Sequence, residues 1–195
     1  VVHPITCLAA DWANVAVKLS CCIALLYFLT MNKILISACL SGFPVRYNGS
    51  AKLSVEGYLT QWRQQSRLVM FCPELSAGFP TPRPPAEIIP SPTGTSVITQ
   101  GARVVETTGD DVTERYILGA WLTLEMAQRH DCRFALLTEG SPSCGNNVIY
   151  SGRFDGSQIS GRGVTAELLR NHGIEVFSDR EIDQLIARVT ETDGR

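Results

Sequence analysis

From Asn32 onward, short apolar runs alternate with longer segments whose apolar positions recur every three to four residues. The runs "KILISA" (33–38), "RLVMF" (67–71), "FALLTE" (134–139) and "IEVFS" (174–178) are rich in Ile, Leu, Val and Phe and end in polar or turn residues. That is the pattern of strands buried on both faces. "ARVVET" (102–107) reads as a further strand. Between the strands the period becomes helical. A helix is predicted over 54–65. Another opens at Asp111, with Glu114 completing a capping box, and runs to about His130 with Ile117, Ala120, Trp121, Leu124 and Ala127 on its apolar face. A third runs from its Thr165 cap to Asn171 and stops at Gly173. Ser178 and Glu181 form the capping box of a C-terminal helix. "VIYSGRFDGSQI" predicts a hairpin turning at Asp155-Gly156. The segments 40–52 and 73–94 are broken by glycine and proline. The second is read as a long ordered loop, partly polyproline II, because proline excludes regular helix and central strand. Loops this long in compact domains usually carry function.

Strands alternating with helices predict an α/β fold: a three-layer, Rossmann-like arrangement of a mostly parallel sheet with helices on both faces. Residues 31–195 are expected to form one such domain. The first thirty residues differ. Leu19–Leu29 is nearly all apolar, yet too short to span a bilayer, and only Lys18 precedes it as a basic residue. No A-x-A cleavage site follows. Residues 1–30 are therefore expected to be an N-terminal extension outside the functional domain, and no membrane partner is expected for 31–195.

Composition narrows the function classes. Hydrophobic residues make up 45% and charged residues 18%, which is a globular rather than a disordered balance. A net charge of −2 without a block of like charges gives no basis for nucleic-acid binding through phosphate neutralisation. The seven cysteines are odd in number and irregular in spacing, a poor disulfide framework. They point to a reducing, cytoplasmic compartment.

Three of them share a position. Cys39, Cys72 and Cys144 each lie at or just past the carboxyl end of a predicted strand. Ligands bind outside those ends in open parallel sheets, so neighbouring strands would bring the three sulfurs into one crevice. Gly42, Pro73, Pro142 and Gly145 nearby allow close backbone approach. Soft thiolates bind zinc or iron–sulfur clusters, and three protein ligands leave one metal position open. On a 4Fe–4S cluster they would leave one iron free for substrate. The same spacing also fits buried, inert core cysteines or a thiol–disulfide pair. Cys132, at the opposite end of its strand, reads as structural.

The motifs "SACLSGFPVRYNG", "CPELSAGFPTPRPPAE", "TGDDVTERYILGA", "SPSCGNNVIYSGRF" and "GRGVTAELLRNHGIEVFS" occur in order and cover almost everything from Met31 to Asp179. In these the chain resembles the bacterial thiouracil desulfidase family. The resemblance implies a 4Fe–4S cluster held by Cys39, Cys72 and Cys144. Its fourth iron, without a protein ligand, would take the sulfur of a small thiolated base such as a thiouracil-like pyrimidine. The implied reaction is a hydrolytic desulfuration without net redox change, water replacing sulfur on carbon. Departures from the family pattern at Ser41, Asn48, Leu75-Ser76-Ala77-Gly78 and Thr138 leave the cysteines intact and fall in loops expected to line the pocket.

Glu74, two residues after Cys72, can move protons for the attacking water or accept backbone N–H groups of the proline loop. Ser143 and Ser141 flank the third cysteine; each can position substrate or cap the turn, with Ser143 favoured for the catalytic role. Ser37 shares a sheet face with Cys39 and is a substrate-binding candidate. Arg46 and Arg83 can clamp an anionic or carbonyl group or tie their loops, Glu87 being the expected partner of Arg83. His130 and His172 fall at helix ends, without a catalytic role. Two rivals stand beside the desulfidase reading: a non-catalytic metal- or ligand-binding module, which binds without turnover, and a thiol–disulfide redox protein, in which iron is irrelevant.

Overall fold

The computed structural model describes residues 31–89 and 93–193. The expected N-terminal extension lies outside the described residues, as do Cys7, Cys21 and Cys22. Four strands, β1 (Lys33–Ser37), β2 (Leu68–Phe71), β5 (Cys132–Leu137) and β8 (Glu175–Ser178), form a sheet in the order β2-β1-β5-β8. Every neighbouring pair in it is parallel. Helices α1 (Glu56–Gln64), α4 (Thr113–Arg129), α5 (Val164–Asn171) and α6 (Ile182–Asp193) cover it.

The alternation of side chains along the strands divides the core. Ile34, Ile36, Phe134 and Leu136 pack with Leu59 and Trp62 of α1 and with Ile182, Leu185 and Val189 of α6. Leu35, Ala135, Leu137 and Val176 point the other way, onto Tyr116, Ala120 and Leu124 of α4 and Leu168 and Leu169 of α5. Both faces are thus buried, which is why these strands are continuous apolar runs. The chain leaves β1 toward β2 on one side, and leaves β5 toward β8 on the other. The strand order therefore reverses between β1 and β5, where open parallel sheets have their crevice.

Two antiparallel ribbons lie apart from this sheet. The hairpin of β6 (Val148–Tyr150) and β7 (Gln158–Ser160) agrees with its sequence signal. In the pair β3 (Ala86–Ile89) and β4 (Arg103–Glu106) only the second strand was expected: the proline-rich stretch is not loop throughout but yields β3 in the proline-free interval between Pro85 and Pro90. It also begins with a single helical turn, α2 (Pro73–Ser76), started by proline at its first position. A short helix α3 (Gly94–Thr99), capped by the Thr93 hydroxyl, was not expected.

The buried face of α4 is rotated from the expected one. It carries Tyr116, Gly119, Ala120, Thr123, Leu124 and Ala127, while Trp121 is exposed. Small residues dominate because the helix lies against the turn below it: a Cβ on Gly119 would come 2.5 Å from the Pro73 carbonyl oxygen. Hydrophobicity favours Trp121 for burial, but closeness of approach excludes it. The caps differ as well. Asp111 accepts from the Thr113 N–H at 3.0 Å as an Asx turn, and Glu114 does not close a box. The Ser178–Glu181 box is half formed: Glu181 accepts from the Ser178 N–H at 2.8 Å, while the Ser178 hydroxyl is buried without a partner. Thr165 sits inside α5, and Gly163 takes the cap position. Among the described residues no helix is long and apolar enough to cross a membrane.

Candidate active site

Each of the three strand ends turns in a different way. After β1 the chain enters a 3-10 turn, Ala38–Ser41, which carries Cys39 buried. After β2, Cys72 is extended and its carbonyl accepts from the Ser76 N–H at 3.1 Å as the cap of α2. After β5, residues 141–145 turn tightly: the Ser141 hydroxyl accepts from the N–H groups of Ser143 (3.1 Å) and Cys144 (3.2 Å). All three cysteines are free thiols, and all three line one cavity of about 330 Å³ at the carboxyl edge of the sheet. The strand order joins positions 39, 72 and 144 in space.

The Cys144 loop is held from two sides. The carboxylate of Glu139, buried beside it, accepts from the N–H groups of Asn146 (2.9 Å), Asn147 (3.1 Å) and Val148 (3.1 Å). The N-terminus of α5 supplies the other side: Val164 N–H donates to the Pro142 carbonyl at 2.9 Å and Thr165 N–H to the Ser143 carbonyl at 2.9 Å. These would otherwise be orphan donors of a helix start. Gly163 permits the contact, because a Cβ there would run into the Ser143 carbonyl. Gly163→Ala is expected to cost about 1–3 kcal/mol through overpacking. It should appear as a lowered thermal midpoint of the purified protein, with an unshifted midpoint as the contrary result.

Asp179 connects this loop to the first. One of its oxygens accepts from the Glu139 N–H at 2.8 Å; the other pairs with Lys52 at 2.7 Å. The Lys52 N–H in turn donates to the Cys39 carbonyl at 2.9 Å. A buried carboxylate with that many donors couples the two loops more firmly than a surface ion pair would.

Glu74, buried, is the acid of the cavity. Its Oε2 lies 3.3 Å from the Cys72 sulfur and its Oε1 accepts from the Ser141 hydroxyl at 3.4 Å. Arg83 stands 3.8 Å from Glu74 and also donates to the Val45 carbonyl at 3.2 Å, so it holds the carboxylate and ties the loops together. The expected Arg83–Glu87 pair does not form. Glu87 instead accepts from the backbone N–H groups of Gly152 (2.7 Å) and Phe154 (3.2 Å). Arg46 lines the cavity, donates to the Ser50 hydroxyl at 3.2 Å, and has no carboxylate partner among the described residues.

Ser143 is the candidate the fold turns away. It is buried outside the cavity lining, and its hydroxyl meets that of Thr165 at 2.7 Å. Ser141 faces Glu74 in its place. Ser37 lines the cavity, but its hydroxyl is directed to the Cys144 sulfur at 3.6 Å. Thr138, 2.8 Å from the Cys39 sulfur, has no site role in the sequence reading. Neither do Tyr47, Tyr116, Tyr150 and Phe154, which supply the aromatic part of the wall. Thr138 directly follows β5, and the strand-end rule that selected the cysteines applies to it equally.

Burial pushes all three thiols up. The Cys72 thiol rises to about 12 and the Cys144 thiol well above its ordinary value; in both the Glu74 charge adds to the burial. Cys39 is raised by burial against the lowering effect of Thr138. At neutral pH these groups are protonated thiols, and a metal binding there displaces protons. Among the described residues no three His, Cys, Asp or Glu side chains stand close enough to hold a single metal ion.

Three thiols and a buried carboxylate thus line one cavity at the strand-order reversal of a parallel sheet in an α/β fold. The chain belongs to the 2-thiouracil desulfurase family, whose sequence model matches residues 34–181. It is 44% identical over 153 residues to the uncharacterized protein YbbK of Bacillus subtilis (strain 168), covering 78% of this chain and 99% of that protein. Among solved structures, a 4Fe-4S-dependent thiouracil desulfidase, TudS, superposes with a TM-score of 0.74 at 44% identity. The match covers 82% of this chain and 98% of that one.

Proposed function

We propose that this chain is a desulfidase that removes sulfur hydrolytically from a thiolated pyrimidine, using a 4Fe–4S cluster held by Cys39, Cys72 and Cys144. The observation that carries the proposal is the convergence of these three free thiols on one cavity beside the buried carboxylate of Glu74. The likeness to the 4Fe-4S-dependent thiouracil desulfidase supports the cluster type and the substrate class. Ligands of a cubane each hold a different iron, so they need not stand as close as the ligands of one ion. Soft sulfur donors around a cavity of about 330 Å³ suit such a group. The reading takes residues 31–195 as the functional unit, supported by the contacts within Asn32–Arg195. It also takes the four parallel strands as a Rossmann-like three-layer core, and free thiols as a sign of cytoplasmic location.

When bound, the cluster supplies an iron without a protein ligand, a Lewis acid for the substrate's sulfur. The protein's groups do the rest. Cys72, holding the cluster as a thiolate, would no longer donate to Glu74 Oε2, which would leave that carboxylate oxygen free. Glu74 then accepts a proton from the attacking water, whose oxygen bonds to the thiocarbonyl carbon. As the carbon–sulfur bond breaks, Glu74 passes that proton to the departing sulfur and takes the remaining hydroxyl proton from oxygen, so the products are a carbonyl and hydrosulfide with no electrons gained from outside. Arg83 holds the Glu74 carboxylate in place, and the Ser141 hydroxyl beside it donates to the developing oxygen. Arg46 binds the ring's remaining carbonyl or its anionic form. Tyr47, Tyr150 and Phe154 flank the planar ring.

Anaerobically purified protein should be brown, contain about four irons and four labile sulfides per chain, and release sulfide from thiouracil. Iron binding without sulfide release would favour the non-catalytic module. Turnover by iron-free protein would remove the proposal.

A further inference from the structure

We infer that Ser37 and Thr138 act as a paired hydroxyl donor to two of the three cysteine sulfurs, setting the electron density and the retention of a cluster bound to them. The inference rests on the cysteine-held cluster proposed above and assigns positioning residues to it. Both side chains are buried, at the adjoining ends of β1 and β5. The Thr138 N–H donates to the Ser37 oxygen at 3.1 Å. That bond occupies a lone pair of the serine and leaves its proton for the Cys144 sulfur, 3.6 Å away. The Thr138 hydroxyl lies 2.8 Å from the Cys39 sulfur. While Cys39 is a thiol, either atom can donate. A sulfur bound to iron has no proton, so the hydroxyl must then be the donor.

One backbone N–H thus orients the donor to Cys144, and the same residue's side chain serves Cys39. Little water competes at such depth, which strengthens both bonds. The third sulfur is served differently: the side chain facing Cys72 is the acceptor Glu74, and its donor is the backbone N–H of Leu75. Two corners of the site are supported by side-chain hydroxyls and one by a backbone N–H. Hydrogen bonds to cluster sulfurs draw off electron density and raise the reduction potential. They also make the metal a better acceptor for an incoming sulfur.

The test compares wild type with Thr138→Val, Thr138→Ser and Ser37→Ala, all loaded with cluster anaerobically. Two readouts are taken: the reduction potential and the rate of iron loss to EDTA. Thr138→Val is expected to shift the potential to more negative values and to speed iron loss by about tenfold or more. Thr138→Ser should restore both, and Ser37→Ala should move both in the same direction as the valine variant. A valine variant with wild-type potential and iron loss overturns the inference. So does a serine variant that behaves like valine, since the methyl group and not the hydroxyl would then be at work. If the valine variant does not fold, Ser37→Ala decides alone. If the loaded variants show these shifts and the loaded wild type does not convert thiouracil, the inference stands and the proposed reaction falls. A wild type that takes up no cluster overturns both.

Discussion

Cys144→Ala is expected to abolish thiouracil conversion and to leave the anaerobically prepared protein colourless. A metal acting as a Lewis acid supplies several kcal/mol of transition-state stabilisation, so its loss lowers the rate by about a thousandfold or more. Cys144 is the most buried of the three thiols, and its sulfur faces Ser37 inside the cavity. No other described sulfur can take its place, because Cys132 lies in the core at the start of β5, away from the cavity lining. Cys132→Ala is therefore the matched control: it removes a buried thiol and should keep both iron and activity. Iron and labile-sulfide analysis with a sulfide-release assay on the two variants gives the result. Equal iron content in both would end the claim that position 144 is a ligand.

Glu74→Gln should retain the cluster and lose turnover. General base catalysis contributes about 10²–10⁴-fold, and glutamine keeps the shape while losing the proton acceptor. The surroundings tolerate the change. Ser141 can still donate to the amide oxygen, and Arg83 keeps its bonds to the Val45 and Pro80 carbonyls. The fall should appear in kcat at unchanged iron content. A variant with wild-type kcat would transfer the proton step to another group. One that loses iron would make Glu74 a support for Cys72 rather than a base.

How much of this the chain discloses varies by element. The four parallel strands are legible because each is an unbroken apolar run ended by turn residues, and burial on both faces demands such runs. The β6–β7 hairpin is legible because its turn uses Asp155-Gly156. The ribbon of β3 and β4 is hidden, since its first strand is four residues set directly after a proline cluster. On α4, hydrophobicity points to Trp121, whereas the close approach of Gly119 to Pro73 decides for the small residues. Around the cavity, Glu87 is near Arg83 in sequence and pairs elsewhere. Ser143 is adjacent to Cys144, and its hydroxyl turns to Thr165.

By itself, the sequence determined the four strands of the parallel sheet, the thiols at three of their ends and the family. These depend on local composition, and an ordered set of motifs survives any detail of packing. Only the tertiary structure decided which atom meets which. The bonds that shape the cavity join residues about a hundred positions apart: Cys39 with Thr138, Ser37 with Thr138, Ser37 with Cys144. Such contacts are set by the order of strands in the sheet and the turn taken by each strand's end. Neither is written in the residues nearby, because strand order is chosen by the packing of the whole core.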